Sequence, residues 1–233
     1  MTIPYFYEKN ILNTASHFIL SEETSRHCIQ VLRMKIGEKL HLTDGKGNLF
    51  TASIAEADKK NCAVKIESSN FTKEKAKKIC IAVSLIKNAN RFEWFLEKAT
   101  EMGVTEIIPL LCSRTERQHF RFDRMNNILI AAMLQSQQTW LPVLQMPTSL
   151  QIVIDQSSYI QKLIAHCEEN EKKTLGQLKI ENNVQMLIGP EGDFTWDEIK
   201  SAIQKNYLPV SLGNTRLRTE TAGITAAALL INL

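Results

Sequence analysis

Two blocks near the C-terminus hold the residue types most capable of chemistry: LIGPEGDF at 187–194 and LGNTRLRTETAG at 212–223. Each reads as an apolar strand running into a glycine-bearing loop that opens a helix. Glycine lets a ligand approach the backbone, and a helix N-terminus presents unpaired N–H groups, so this layout builds ligand cradles. The second block adds Arg216, Arg218 and Glu220 within one loop. Glu220 suits the positive end of the terminal helix, whereas Arg218 does not and needs an anion or a carboxylate to hold. Gly223, inside an otherwise Ala/Leu-rich helix, costs about 1 kcal/mol relative to alanine, which close approach of another backbone would offset.

Other chemistries lack their motifs. There is no GxGxxG opening a helix, GPEGDF has no GK[ST] ending, and neither GxSxG nor HExxH occurs. The histidines at 17, 27, 41, 119 and 166 are too scattered for a metal site, and His166, in an apolar strand, reads as a hydrogen-bonded core residue. The five cysteines, 28, 62, 80, 112 and 167, show no CxxC pair and read as buried, reduced thiols of a cytosolic protein. The N-terminus lacks the features of a signal peptide, and no apolar run approaches the roughly 20 residues of a membrane span. A cytoplasmic protein with no membrane association is expected.

The elements that must position the two loops follow from periodicity. With 44% hydrophobic and 23% charged residues and a net charge of +3, the 233-residue chain has a globular balance with a mild basic bias. Residues 38–44, 48–57 and 61–68 alternate as strands, with Asp44-Gly45 marking a hairpin, and 26–34 reads as a short helix ending near Gly37. The lysine-rich stretch 72–78 reads as a linker, dividing a β-rich domain at 1–71 from a larger domain at 79–233. In the latter, apolar strands at 79–85, 105–111, 162–167, 184–189 and 207–213 alternate with helices at 91–103, 121–138, 196–205 and 220–233. Such alternation predicts a parallel α/β sheet. Thr195 and Glu198 form a capping box at the start of the third helix.

The motifs HCIQVLRMKIGE (27–38), the DGKGN turn, KNANRFEWFLEKATEMGV (87–104), IIPLLCSRTER (107–117), GPEGDF and LGNTRLRTETA stand in the order of one family. On these residues the chain resembles the RsmE family of SPOUT-class RNA methyltransferases. The resemblance implies a C-terminal trefoil-knot methyltransferase domain with a parallel sheet, preceded by a small PUA-like RNA-binding domain. It further implies a homodimer that uses S-adenosylmethionine, without a metal, to methylate N3 of a uridine in 16S rRNA of the small ribosomal subunit. Alternatives are a SPOUT enzyme acting on another RNA site, such as transfer RNA or a 2′-hydroxyl, and a non-catalytic RNA-binding or ribosome-assembly protein.

Carried onto this chain, the cofactor would be held by Leu187, Ile188, Gly189, Pro190, Glu191, Gly192, Leu212, Gly213, Asn214, Leu217, Arg218 and Ala222. Arg218, as donor to the uracil oxygens, and Glu220, as its orienter or as base, are the first catalytic candidates, with Arg114 and Glu116 second. Arg26, His27, Arg33 and Lys35 would grip RNA backbone. The chain departs from the family pattern at Asp193, where glycine is common, at Thr215-Arg216, where Arg-Ile is common, and at Leu134 and Gln138 of LQSQQ.

Overall fold

The computed structural model describes residues 3–116, 119–168 and 172–233. Arg117, the last residue of the IIPLLCSRTER motif, lies outside these. The chain forms two compact units, one of Met1–Glu74 with Met133–Leu141, the other of Lys75–Ala132 with Pro142–Leu233.

In the first unit, strands β1 (Tyr5–Tyr7), β2 (His17–Ile19), β3 (Lys39–Thr43), β4 (Asn48–Glu56) and β5 (Ala63–Phe71) form one sheet in the order β1-β3-β4-β5-β2. All pairings are antiparallel except β1 with β3. Alternation buries Leu40, Leu42, Phe50, Ile54 and Val64 on one face with Phe6 and Cys28. At the hairpin, the Asp44 carboxylate accepts the backbone N–H groups of Lys46 and Asn48 (2.8 and 3.2 Å). The expected helix at 26–34 is instead a short helix α1 (Glu22–Arg26), capped by Ser21, followed by a π-turn at His27–Val31. Residues 139–141 belong here because they close on the hairpin. The Trp140 indole N–H donates to the Thr72 carbonyl (2.8 Å), and Gly47 N–H donates to the Thr139 carbonyl (2.8 Å). The contiguous division at 72–78 did not anticipate this insertion.

The second unit is a parallel α/β domain. Its elements are β6 (Lys78–Ser84), α2 (Ala89–Met102), β7 (Glu106–Leu111), α3 (Phe122–Gln135), β8 (Val143–Leu144), β9 (Thr148–Ser149), α4 (Leu150–Gln156), β10 (Gln161–Ala165), β11 (Lys173–Thr174), β12 (Asn183–Ile188), α5 (Trp196–Gln204), β13 (Leu208–Ser211) and α6 (Thr219–Asn232). The sheet order is β11-β13-β10-β12-β6-β7-β8, with β9 beside β7 and every pairing parallel. β6, buried along nearly its whole length, is the continuous apolar run expected of a strand covered on both faces. α2 buries Phe92, Phe95, Leu96 and Ala99 and stops at Gly103 (φ +90°). The Thr195–Glu198 capping box is present at α5. After β13 the chain doubles back, so that α6 packs on α2, β6 and β12.

Candidate functional site

Strand order brings three chain segments together. β10 lies between β12 and β13, so the loops after all three open at the carboxyl end of the sheet, where open α/β sheets bind ligands. They wall a cavity of about 710 Å³. The β12 loop contributes Ile188, Gly189, Pro190, Glu191 and Asp193, and the β13 loop the run 210–219 with Ala222. Ala165, His166, Cys167 and Lys172 complete it. Of the expected cofactor residues, Leu187 and Gly192 are not part of this wall. Leu187 is fully buried in the core cluster with Ala82, Leu110 and Phe194. The Gly192 carbonyl accepts from Arg114 Nη1 (2.6 Å).

That contact also revises Arg114 and Glu116. Arg114 donates to the carbonyls of Gly192 and Phe194, bracing the GPEGDF loop from outside, and Glu116 pairs with Lys87 at 2.7 Å. Neither lines the cavity, because the 112–116 loop follows β7, away from the β10–β12–β13 edge.

Asp193 shows what its position demands. It adopts φ +64°, a left-handed conformation that glycine takes freely and Asp tolerates better than most side chains. Its carboxylate accepts from Cys167 N–H (2.7 Å) and from its own neighbour Phe194 N–H (2.8 Å), tying the β12 loop to the end of β10.

His166 is a correction to the sequence reading. It is buried, but at the mouth of β10, and neither ring nitrogen has a hydrogen-bond partner among the described residues. Burial first, then the charge of Lys172, hold its pKa below the ordinary 6.5, against a weaker pull from Asp193. Lys172 is fixed there by donating to the carbonyls of His166 and Glu168, both at 2.7 Å. The unfolded chain protonates this histidine at higher pH than the folded one, so its contribution to stability is lost as pH falls below about 6.5 toward the folded value. The denaturation midpoint is expected to drop over that window, and to drop less in His166→Gln. Equal slopes in both proteins would assign the loss to other groups.

Cys167 differs from the other four thiols in being exposed, on the cavity wall; Cys28, Cys62, Cys80 and Cys112 are buried. Burial pushes Cys28 and Cys112 up to about 12.

Sequence reasoning missed Thr219. Its buried hydroxyl donates to the Gly189 carbonyl (3.1 Å), joining the two signature loops directly. Thr219→Val keeps the shape and removes the donor, which should lower stability by about 1–3 kcal/mol. Urea unfolding of the two proteins measures this, and an unchanged midpoint would show that the loops are held by other means.

Arg218 is the N-cap residue of α6, contributes no side-chain cap, and is exposed on the cavity wall. It also walls a second, smaller concavity of about 340 Å³ with Asn90, Arg91, Trp94, Glu220 and Thr221. Glu220 is buried; its Oε1 stands 3.6 Å from Arg91 Nε, and its Oε2 has no partner among the described residues. The structure thus pairs Glu220 with Arg91 rather than with Arg218. In the first unit, Arg26, His27, Arg33 and Lys35 are all exposed, with Arg26 bound to Glu22 (2.9 Å) and the His27 ring edge-on to Phe6.

The sequence and the fold match known proteins. The family described as RNA methyltransferase domain matches residues 73–231, and that described as RNA methyltransferase PUA domain matches residues 20–67. Ribosomal RNA small subunit methyltransferase E of Rickettsia conorii is 30% identical over 204 residues, covering 85% of this chain and 82% of that protein. A solved structure from Porphyromonas gingivalis, described as a probable rRNA methyltransferase, superposes with a TM-score of 0.91 at 36% identity, covering 99% of this chain and 98% of that one. Ribosomal RNA small subunit methyltransferase E of Neisseria gonorrhoeae, solved bound to S-adenosylmethionine, gives 0.90 at 28% identity, covering 99% and 98%. The chain belongs to the ribosomal RNA small subunit methyltransferase E family of RNA methyltransferases.

Proposed function

We propose that this protein transfers a methyl group from S-adenosylmethionine to N3 of a uridine in 16S rRNA of the small ribosomal subunit. The observation that carries the reading is the position of Arg218, which walls both the large cavity and the smaller one that contains Glu220. A donor pocket and an acceptor pocket sharing one wall is what direct transfer between two bound molecules needs.

The large cavity suits the methyl donor. Its size is that of a small-molecule site, and it combines apolar Ile188, Leu212 and Leu217 with glycine loops and the unpartnered nitrogens of His166. Residues Ile188–Glu191 and Leu212–Leu217, with Ala222 and His166, would hold it, while Leu187 and Gly192 support the loop from behind. The sulfonium supplies an already activated methyl group, so the chemistry requires no metal. Among the described residues no cluster of three His, Cys, Asp or Glu could hold one.

At the acceptor, N3 of uracil must lose its proton as it attacks. The free Oε2 of Glu220 accepts that proton. The N3–methyl bond forms as the sulfur–methyl bond breaks, with the electron pair staying on sulfur. Arg218 faces the charge that develops on the uracil oxygens.

Arg26 at the end of α1, His27 on the π-turn, and Arg33 and Lys35 in the loop after it, all exposed, are the proposed RNA contacts of the first unit. The doubling back of α6 over β6 and β12 supports the trefoil knot expected of the fold. We take the protein to act as a cytoplasmic homodimer. No described helix is long and apolar enough to cross a membrane, and sedimentation of the purified protein tests the dimer.

The test of the function uses labelled S-adenosylmethionine and small ribosomal subunits from a strain lacking the enzyme. Label is expected in 3-methyluridine of 16S rRNA. Label in transfer RNA, on a ribose hydroxyl or on another base would overturn the assignment.

A further inference from the structure

We propose that the first two turns of α2 build the subsite for the target base, with Trp94 as the stacking platform and Arg91 as the residue that positions Glu220. The inference rests on the functional reading above and adds the acceptor side of the reaction.

Four observations converge on the smaller concavity. Trp94 sits on its wall with 44% of its surface exposed, although an indole of this size is ordinarily mostly buried. An open aromatic face beside a charged pocket is the means by which proteins hold an extruded base, because every base offers a π-face. Arg91 occupies the first turn of α2, where the helix dipole disfavours a cation. A carboxylate at that place resolves the conflict, and Glu220 supplies it at 3.6 Å. Glu220 is 94% buried and yet retains one carboxylate oxygen without any partner among the described residues. A buried acceptor left open beside a cavity is complementary to a donor that arrives with the ligand. Finally, Arg218 lines both this concavity and the donor cavity, so a base lying on Trp94 would stand next to the proposed methyl-donor site.

These groups also distinguish pyrimidines. An ionised carboxylate only accepts hydrogen bonds. Uracil presents N3–H to it, whereas cytosine presents a lone pair at N3 and would be repelled. Arg218 offers donors to the carbonyl oxygens of uracil, one of which cytosine replaces with an amino group, itself a donor. The subsite therefore fits an extruded uracil and disfavours cytosine.

The experiment compares wild type with W94A, W94F, R91A and R91K, all as full-length protein on deficient small subunits. KM for the subunit and kcat are measured for each, S-adenosylmethionine affinity is measured by calorimetry, and the wild-type product nucleoside is mapped. W94A is expected to raise KM for the subunit about 10- to 100-fold, the equivalent of one lost base–aromatic stack, with S-adenosylmethionine affinity unchanged; W94F should recover most of it. R91A is expected to act chiefly on kcat, with R91K restoring part of it. A W94A enzyme with wild-type KM, or one that loses S-adenosylmethionine affinity in step with KM, overturns the subsite. So does an R91A enzyme with wild-type kcat. In these cases wild-type product mapped to 3-methyluridine leaves the functional reading intact, whereas wild-type product on another nucleotide overturns that reading itself.

Discussion

Gly223→Leu is expected to unfold this protein or leave it severely destabilised, and Gly223→Ala to lower its stability by up to about 2 kcal/mol despite alanine's better helix propensity. A Cβ at Gly223 would lie 2.6 Å from Cε2 and 2.9 Å from Cδ2 of Phe95. Phe95 is fully buried against Phe92 in the core beneath α2, so its ring cannot swing away. Overpacking a site of this kind costs about 1–3 kcal/mol, against about 1 kcal/mol gained from replacing glycine in a helix interior. For alanine the two nearly compete; for leucine the steric side wins outright. The close neighbour that justifies the glycine is thus a side-chain ring on α2, not the backbone that the sequence suggested. Urea unfolding followed by circular dichroism gives the stabilities, and Phe95→Leu in the Gly223→Ala background should return part of the loss. Additive effects of the two changes would show that they do not meet. The contact matters for function because α6 carries Glu220 and α2 carries Arg91. Forcing the helices apart at Gly223 would widen the 3.6 Å pairing on which the proposed acceptor pocket would depend.

What was legible in the sequence is what is local. Apolar periodicity placed β6, α2, β7, β12, α5, β13 and α6 within a few residues, because each buries a face whose repeat is set by its own geometry. The Thr195–Glu198 box and the Asp44-Gly45 turn were legible for the same reason: both are closed by groups a few residues apart. Strand order is not local. Nothing in residues 161–168 announces that β10 slots between β12 and β13, so His166 looked like a core residue until the sheet placed it on the cavity wall. The same holds for charge pairing. Arg91, Arg114 and Glu220 are legible as charged residues, but only the packing of α2 on α6 gives Glu220 to Arg91, and only the return of the β12 loop makes Arg114 a brace. Short elements were missed too. β1, β2, β8, β9 and β11 have two or three residues each, too few to show an alternation, and they exist because a neighbouring strand offers hydrogen bonds.

The largest catalytic effect is expected at Arg218. Arg218→Ala should reduce kcat by about 100- to 1,000-fold, the usual consequence of removing one donor aimed at developing charge. S-adenosylmethionine affinity should stay within a few-fold of wild type, because most of the proposed donor cavity is walled by residues other than Arg218, chiefly 188–191 and 210–217, which the substitution leaves in place. The structure gives the separation a basis. Arg218 is exposed, adds no cap to α6, and lines both pockets. Arg218→Lys keeps the charge but not the planar fork that can reach a carbonyl oxygen and a neighbouring group at once, so it should fall between wild type and alanine. Glu220→Gln provides the complementary case. It is nearly isosteric and retains an oxygen for Arg91, yet it cannot take the N3 proton, so kcat should again fall by at least 100-fold with binding of both substrates preserved. Single-turnover rates at saturating S-adenosylmethionine, set beside calorimetric affinities for the same variants, separate the two kinds of effect. If affinity and rate fall together in Arg218→Ala, the arginine is a binder of the methyl donor. In that case the stabilisation of the uracil anion must come from Arg91 and the open N-terminus of α6.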